Sequence, residues 1–389
     1  MTVLKSFSNM KRLFATLLIC SIFCQVAVFA QNKIIIPDTD KHLVLTGDMH
    51  MHTIFSDGNV WPTTRVEEAH SEGVEVICMT DHLDHRHKRL ANQGIFNGDR
   101  NYSYDVAAKL GKELDVIVIK GAEISRGMPP GHFNTIFISD VEPIAQASDA
   151  HKDNQKGMLA GLEKAKEQNA FCTWNHPHWY AHYPLVKWHP EHEEIFNKGL
   201  MQGIEVFNSC DGFSFEAFQW ALDKNLTLIC GTDVHTPMFR EYNFPAGELR
   251  PVTLIFANEK SEAGVQEALL NRRTAVFANS CVYGREEQLT ELLSSILTIE
   301  LKENKYGVSA FLKNNSSIPL RMKRVESSNP EVLYSRFQVI YPFESQEYIC
   351  RGPVYKAPLE LKEFVLTFEV ENFYTAPGQN LVYSITIKR

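Results

Sequence analysis

The sequence predicts an α/β barrel followed by a small all-β sandwich. Strand-like and helix-like patterns alternate between residues 43 and 280, whereas after about residue 290 only short alternating strands and turn residues remain. In addition, every histidine lies at or before residue 235, which assigns the chemistry to the first part.

Residues 1–30 stand apart. Lys5, Lys11 and Arg12 precede the apolar run LFATLLICSIFCQVAVFA, which ends before Gln31. This pattern reads as a signal peptide that is removed on export, giving a periplasmic or extracellular protein with no stable membrane insertion afterwards. A retained anchor competes, because the run is near spanning length. Cys20 follows Ile19 and Cys24 follows Ile22-Phe23, which speaks against a lipoprotein-type cleavage. Loss of three positive charges and no acidic ones takes the formal net charge from −8 to −11. An acidic chain offers no broad surface for nucleic acid. Its partner is expected to be a small molecule, held by a local positive site such as metal ions. Cys78, Cys172 and Cys230 lie in apolar runs and read as small core residues. No CxxC pair occurs, so a zinc finger has no support.

The barrel is assigned to residues 31–285. Its strands are LVLTGD (43–48), VEVICMT (74–80), DVIVIKGAE (115–123), HFNTIFIS (132–139), AFCTWN (170–175), GIEVFNS (203–209) and LTLICGTD (226–233). They are apolar almost throughout, as strands covered on both faces are. TTRVEEAHSEG, DVAAKLGKEL, KGMLAGLEKAKEQ and FSFEAFQWALDKN supply helical spacing between most of them. One further βα unit, VTLIFAN with SEAGVQEALLNRR, follows. Seven strands with intervening helices predict a βα barrel. Residues 290–389 hold LTIEL, VSAFLK, IPLRMKRV, RFQVIYPF, EFVLTFEVENF and LVYSITIK, with no helix expected. That pattern predicts an immunoglobulin-like sandwich, whose expected role is to brace the barrel.

The stretch GDMHMHTIFSDG (47–58) carries His50 and His52 at strand spacing, so both imidazoles face one side at the carboxyl end of the first strand. An HxH pair alone is weak. The other strand ends repeat the theme: MTDH gives His82, KGAE gives Glu123, GHFN opens with His132, WNHPH gives His176, GTDVH gives Asp233 and His235, and SDG adds Asp57. Imidazole with carboxylate suits divalent Mn, Zn or Fe. Nine such residues exceed the needs of one ion and suffice for two or three.

In this order GDMHMHTIFSDG, TDH, GAE, GHFN, NHP and GTDVH resemble the PHP (polymerase and histidinol phosphatase) superfamily over about residues 43–280. The resemblance implies a distorted seven-stranded βα barrel and hydrolysis of phosphate esters, diesters and also monoesters, by metal-bound hydroxide at a trinuclear centre. The activity expected is thus that of an EC 3.1 phosphoesterase. Within the superfamily, EISRGMPPGHFN and the exported, sandwich-tailed layout look most like secreted bacterial phosphodiesterases. The resemblance implies one ion on His50, His52, Glu123 and Asp233, a second on Glu123, His132 and His176, and a third on Asp57, His82 and His235. Asp57 stands where some relatives have histidine.

Further roles are expected nearby. Arg126 is a candidate phosphate fork, and His178 a candidate proton donor to the leaving alkoxide. Asp48 and Asp81 are expected to accept hydrogen bonds from ligand imidazoles. The aromatic run WNHPHWYAHYPLVKWHP (174–190) is expected to wall a pocket, and His182, His189 and His192 to lie on the surface. Two other functions compete: an amidohydrolase-type hydrolase, which also opens with HxH but uses a strand-end lysine, and a non-catalytic envelope binding protein. Glu123 at the third strand end and the complete ligand set favour the phosphoesterase.

Overall fold

The computed structural model describes residues 33–83, 94, 98–179, 186–326, 331–354 and 359–389. The signal-peptide expectation and His182 lie outside the described residues. The seven expected barrel strands are β1 (Leu43–Asp48), β2 (Val76–Met79), β3 (Ile117–Ser125), β4 (His132–Ile136), β5 (Phe171–Trp174), β6 (Gly203–Asn208) and, beyond the two-residue β7 (Gly212–Phe213), β8 (Thr227–Gly231). Helices α1 (Pro62–Glu72), α2 (Tyr102–Leu114), α3 (Glu142–Asp149), α4 (Asn154–Glu167), α5 (Pro190–Asn197) and α6 (Phe215–Asp223) connect them. Leu45, Val76, Ile119, Phe171, Ile229 and Ile255 form one buried cluster at alternate strand positions, and the helices pack outside.

The sheet is mixed. β1, β2 and β3 run parallel, as do β5, β6 and β8, but β4 is antiparallel to both β3 and β5. The reason is chain length. Residues 126–131 are too few for the crossover that a parallel neighbour requires. Reversal of β4 puts its first residue, His132, opposite Ser125 at the end of β3. A strand start thereby joins the ring of strand ends.

The expected extra βα unit is β9 (Val252–Ala257) and, after the short α7 (Met238–Glu241), α8 (Glu262–Leu270). β9 pairs antiparallel with β1. Among the described residues no ladder joins β8 to β9. The seam is closed by Thr253, whose hydroxyl accepts from Cys230 N at 2.9 Å and donates to Cys230 O at 3.1 Å.

A hairpin of β10 (Thr274–Ala278) and β11 (Cys281–Gly284), absent from the sequence reading, follows, and then α9 (Glu286–Ile296), which runs past residue 290 where no helix was expected. Leu289, Leu292, Leu293 and Ile296 recur at helical spacing and are buried. The sandwich has β12 (Leu297–Asn304), β13 (Gly307–Asn314) and, later in the chain, β16 (Ser345–Cys350) in one sheet. β14 (Leu320–Arg324), β15 (Phe337–Ile340), β17 (Glu363–Ala376) and β18 (Gln379–Lys388) lie in the other, which continues into the barrel's sheet because β17 pairs in parallel with β11. Buried residues of both parts, Leu254 and Leu289 with Leu320 and Phe368 among them, belong to one apolar cluster.

Thr253→Val keeps the shape of the seam and removes its hydroxyl, leaving the Cys230 N–H unpaired in a buried strand. Stability is expected to fall by about 1–3 kcal/mol, measured by chemical denaturation.

Candidate metal centre

The rim is assembled from the backbone outward. After β1 the chain stays extended: Met51 bridges Val234, His52 N donates to Val234 O at 3.0 Å, and Asp233 N donates to His50 O at 2.7 Å. The segments carrying His50, His52, Asp233 and His235 therefore run side by side. Arg65, fully buried on α1, ties them together. Its Nε donates to His52 O, its Nη2 to Val234 O and its Nη1 to Thr236 O, each at 3.0 Å. On the other side Gly231 allows close approach, since a Cβ there would lie 2.4 Å from both Glu205 Oε1 and His50 Cβ. His176 and Asp233 adopt left-handed φ values of 29° and 53°, a local strain of about 1 kcal/mol or more each.

All nine residues singled out from the sequence meet here. His52, Asp57, His82 and His235 bring one donor atom each within 4.8 Å of one another, as do His50, His52 and Glu123; His50, His176 and Asp233; and His82, Glu123 and His132. This grouping differs in three respects from the one the resemblance implies. His82 joins Glu123 and His132 as well as Asp57 and His235. His52 belongs to the rim group as well as the deep one, and His176 sits with His50 and Asp233 as well as 3.3 Å from Glu123 Oε1. The deep groups are buried, and the rim group is partly open to solvent.

The donor set fits cations, and hydrogen bonds show why. His50 Nδ1 lies 2.9 Å from the buried Glu205 Oε1 and donates to it, which in the neutral ring leaves Nε2 as an acceptor. Ser56 gives its hydroxyl proton to Asp81 Oδ1 at 2.7 Å and so accepts from His52 Nδ1 at 3.2 Å. His52 Nε2 is then an acceptor too, and it lies 3.1 Å from His50 Nε2. Asp233 Oδ1 stands 3.3 Å from the first and 3.0 Å from the second. His235 Nδ1 donates to Asp233 O at 2.7 Å, which turns the Nε2 lone pair on Asp57 Oδ1 at 3.1 Å. Asp57 Oδ1 and Glu123 Oε2 are buried without a hydrogen-bond partner, although His82 Nδ1 stands 2.7 Å from the latter. Buried acceptors facing acceptors repel unless a positive charge lies between them.

Protonation follows the same logic. Burial pushes the Glu123 carboxyl up, but the facing His82, His132 and His50 rings outweigh it and hold it well below the usual range. Burial would strip His50 of its proton, yet Asp233, Glu205 and Glu123 raise it well above an ordinary histidine. Burial and the neighbouring His82 pull His52 down to about 4. Without cations the cluster keeps protons in their place, and divalent ions compete for the same positions.

Several expected roles change. Arg126 does not face the cluster. Its Nη1 donates to His151 O at 3.2 Å and its Nη2 to Ser148 O and Oγ at 2.5 and 2.6 Å, at the carboxyl end of α3. Side chains alternate along β3, so Arg126 leaves on the outer face with Ile124, opposite to Glu123 and Ser125. Among the described residues Asp48 touches no imidazole. It accepts from Thr232 N at 3.0 Å, Thr232 Oγ1 at 2.6 Å and Arg250 Nη2 at 3.0 Å, and so fixes the end of β8. Asp81 acts on His52 only through Ser56. His192 is not a surface residue. It is fully buried, stacked 3.8 Å from Trp174, and donates to Pro130 O at 2.7 Å, while His189 is half-buried. The aromatic run divides. Trp174 and Trp188 pack on Trp220, whereas Trp179 is exposed beside His132 and His176. His178 is half-buried, with Nε2 3.3 Å from Glu216 Oε2.

Glu205 and Arg65 were missed. Each carried a signal: Glu205 is the lone charge in the apolar strand GIEVFN, and Arg65 lies on the stripe of α1 that also buries Val66, Ala69 and Glu72. Charged side chains in such places are rarely buried without partners.

A barrel that gathers six imidazoles and three carboxylates at its rim defines a metal-dependent hydrolase. A family profile described as PHP domain matches residues 48–246, and one described as Ig-like domain matches residues 296–386. The chain is similar to the crystal structure of a two-domain protein from Bacteroides vulgatus containing a predicted PHP-like metal-dependent phosphoesterase, at 37% identity and a TM-score of 0.81, over 92% of this chain and 98% of that one. The chain belongs to the PHP family of metal-dependent phosphoesterases. It is also similar to an amidohydrolase from Chromobacterium violaceum with bound sulfate and no metal (15% identity, 52% of this chain, 97% of that one, TM-score 0.36). A histidinol phosphate phosphatase from Lactococcus lactis with zinc, L-histidinol and phosphate matches at 17% identity (49% of this chain, 87% of that one, TM-score 0.29). These two likenesses are too distant to carry further argument. No curated protein matches.

Glu205→Gln retains the shape beside His50 and removes the charge that fixes its tautomer. Metal affinity is expected to fall about 10- to 100-fold, measured by competition with a chromogenic chelator.

Proposed function

We propose that this chain hydrolyses phosphate esters of small molecules, phosphodiesters and also monoesters, at a centre of three divalent ions. The supporting observation is the set of buried imidazole nitrogens and carboxylate oxygens that converge within 4.8 Å of one another. His50, His52, Glu123 and Asp233 would hold one ion, Glu123 with His132 and His176 a second, and Asp57, His82 and His235 a third. The mixed nitrogen and oxygen donors suit Mn, Zn or Fe. When bound, such ions acidify water and neutralise phosphate oxygens.

The chain's own residues supply position and proton control. Glu205 and the Asp81–Ser56 pair present the lone pairs of His50 and His52 toward the centre, and Arg65 holds their backbone in register with Asp233. His178, oriented by Glu216, is the candidate donor of a proton to the departing alkoxide. Arg126 is no longer a candidate for the phosphate fork. Amidohydrolase chemistry with a strand-end lysine gains no support: β3 ends in Glu123 and Ser125, and its Lys120 donates to Ser139 O at 3.2 Å. The sequence of residues 1–30 supports export to the periplasm or beyond.

Metal analysis of purified protein, paired with bis(p-nitrophenyl) phosphate and p-nitrophenyl phosphate as substrates, tests the reading. Turnover is expected to vanish with a chelator, to return with Mn or Zn, and to be lost in His50→Ala and Glu123→Ala. Rates unchanged in both variants would remove the mechanism.

A further inference from the structure

Two exposed aromatic side chains flank one polar contact beside the cluster. His178 Nε2 lies 3.3 Å from Glu216 Oε2. Trp179, the next residue after His178, is 47% exposed, and its ring centroid lies 4.5 Å from that of His132 and 5.1 Å from that of His176. Phe215, the residue before Glu216, is 60% exposed. Large apolar side chains partly exposed beside a metal cluster offer surface to a ligand.

The barrel does not hold Phe215 alone. Phe215 meets Phe213 edge-on at 4.9 Å, Phe213 stacks on Tyr283 at 4.0 Å, and Tyr283 stacks on Tyr374 at 5.2 Å. Tyr374 belongs to the sandwich strand β17 and is the register partner of Tyr283 on β11. An unbroken series of ring contacts thus runs from the sandwich to the first turn of α6, where Glu216 faces His178.

We infer that Trp179 and Phe215 form an aromatic wall that receives the flat, apolar alcohol of a phosphodiester, and that the sandwich holds this wall in place through Tyr374 and Tyr283. The inference rests on the phosphoesterase reading and names its substrate class. In the reaction water adds hydroxyl to phosphorus and releases its other proton to solvent, the bond from phosphorus to the alcohol oxygen breaks, and His178 passes a proton to that oxygen and regains one from solvent. The alcohol then leaves along the wall. Phe215 and Trp179 decide which alcohol is accepted, and Tyr374 is a positioning residue.

The test is calorimetric binding of phenylphosphonate and methylphosphonate to the metal-loaded full chain. The wild type is expected to prefer the phenyl compound. Trp179→Ala, Phe215→Ala and Tyr374→Ala are each expected to lower that preference about three- to tenfold, with methylphosphonate binding and metal content retained. Tyr374→Phe keeps the ring and is expected to keep the preference. No preference in the wild type, or an unchanged one in Trp179→Ala and Phe215→Ala, would overturn the wall. An unchanged preference in Tyr374→Ala, or equal weakening of both ligands, would overturn the part given to the sandwich. A wild type that prefers phenylphosphonate yet cleaves no ester would defeat the phosphoesterase reading and leave the wall standing.

Discussion

The structure depends on crowding lone pairs. Six imidazole rings and three carboxylates converge at the rim, and their nitrogen and oxygen atoms crowd within 4.8 Å of one another. Such a set is unfavourable without positive charge, so the scaffold must hold it open against its own repulsion. The buried Arg65 spans His52 O, Val234 O and Thr236 O, Glu205 fixes His50, and Asp81 fixes His52 through Ser56. Much of the polar chemistry buried in this barrel serves that purpose.

Topology serves it too. In a uniformly parallel barrel His132, as the first residue of its strand, would lie at the far end. The short link after β3 forces β4 to reverse, and the reversal delivers the ring 3.0 Å from Glu123. β9 reverses as well, but its contribution is closure: Thr253 replaces a missing ladder with two hydrogen bonds to one residue. The barrel departs from regular alternation in ways that complete the site and seal the wall behind it.

The sandwich is continuous with this machinery. It shares an apolar cluster with the outside of the barrel, and its strand β17 extends the same sheet. The aromatic contacts that leave Tyr374 reach the helix carrying Glu216. The second domain therefore packs against the barrel on the side that carries Glu216.

The sequence by itself determined the strands and the identity of the clustering residues. Apolar runs have no stable alternative to the interior, and histidines and carboxylates at their ends must then lie on one rim. Thus β1 to β6 and β8 and the identity of the nine side chains were legible before any coordinates, whereas the reversal of β4 that brings His132 to the rim was not. Tertiary structure alone decided which face a loop residue takes and what a buried charge touches. Arg126 turns outward because alternation along β3 sends it there, Asp48 binds Thr232 and Arg250 in place of an imidazole, and His192 is buried by stacking on Trp174. Glu205 and Arg65 met His50 and His52 only once segments distant in the chain closed around them. Local pattern reports a residue's own preference, whereas hydrogen-bond partners are chosen by the packing of the whole barrel.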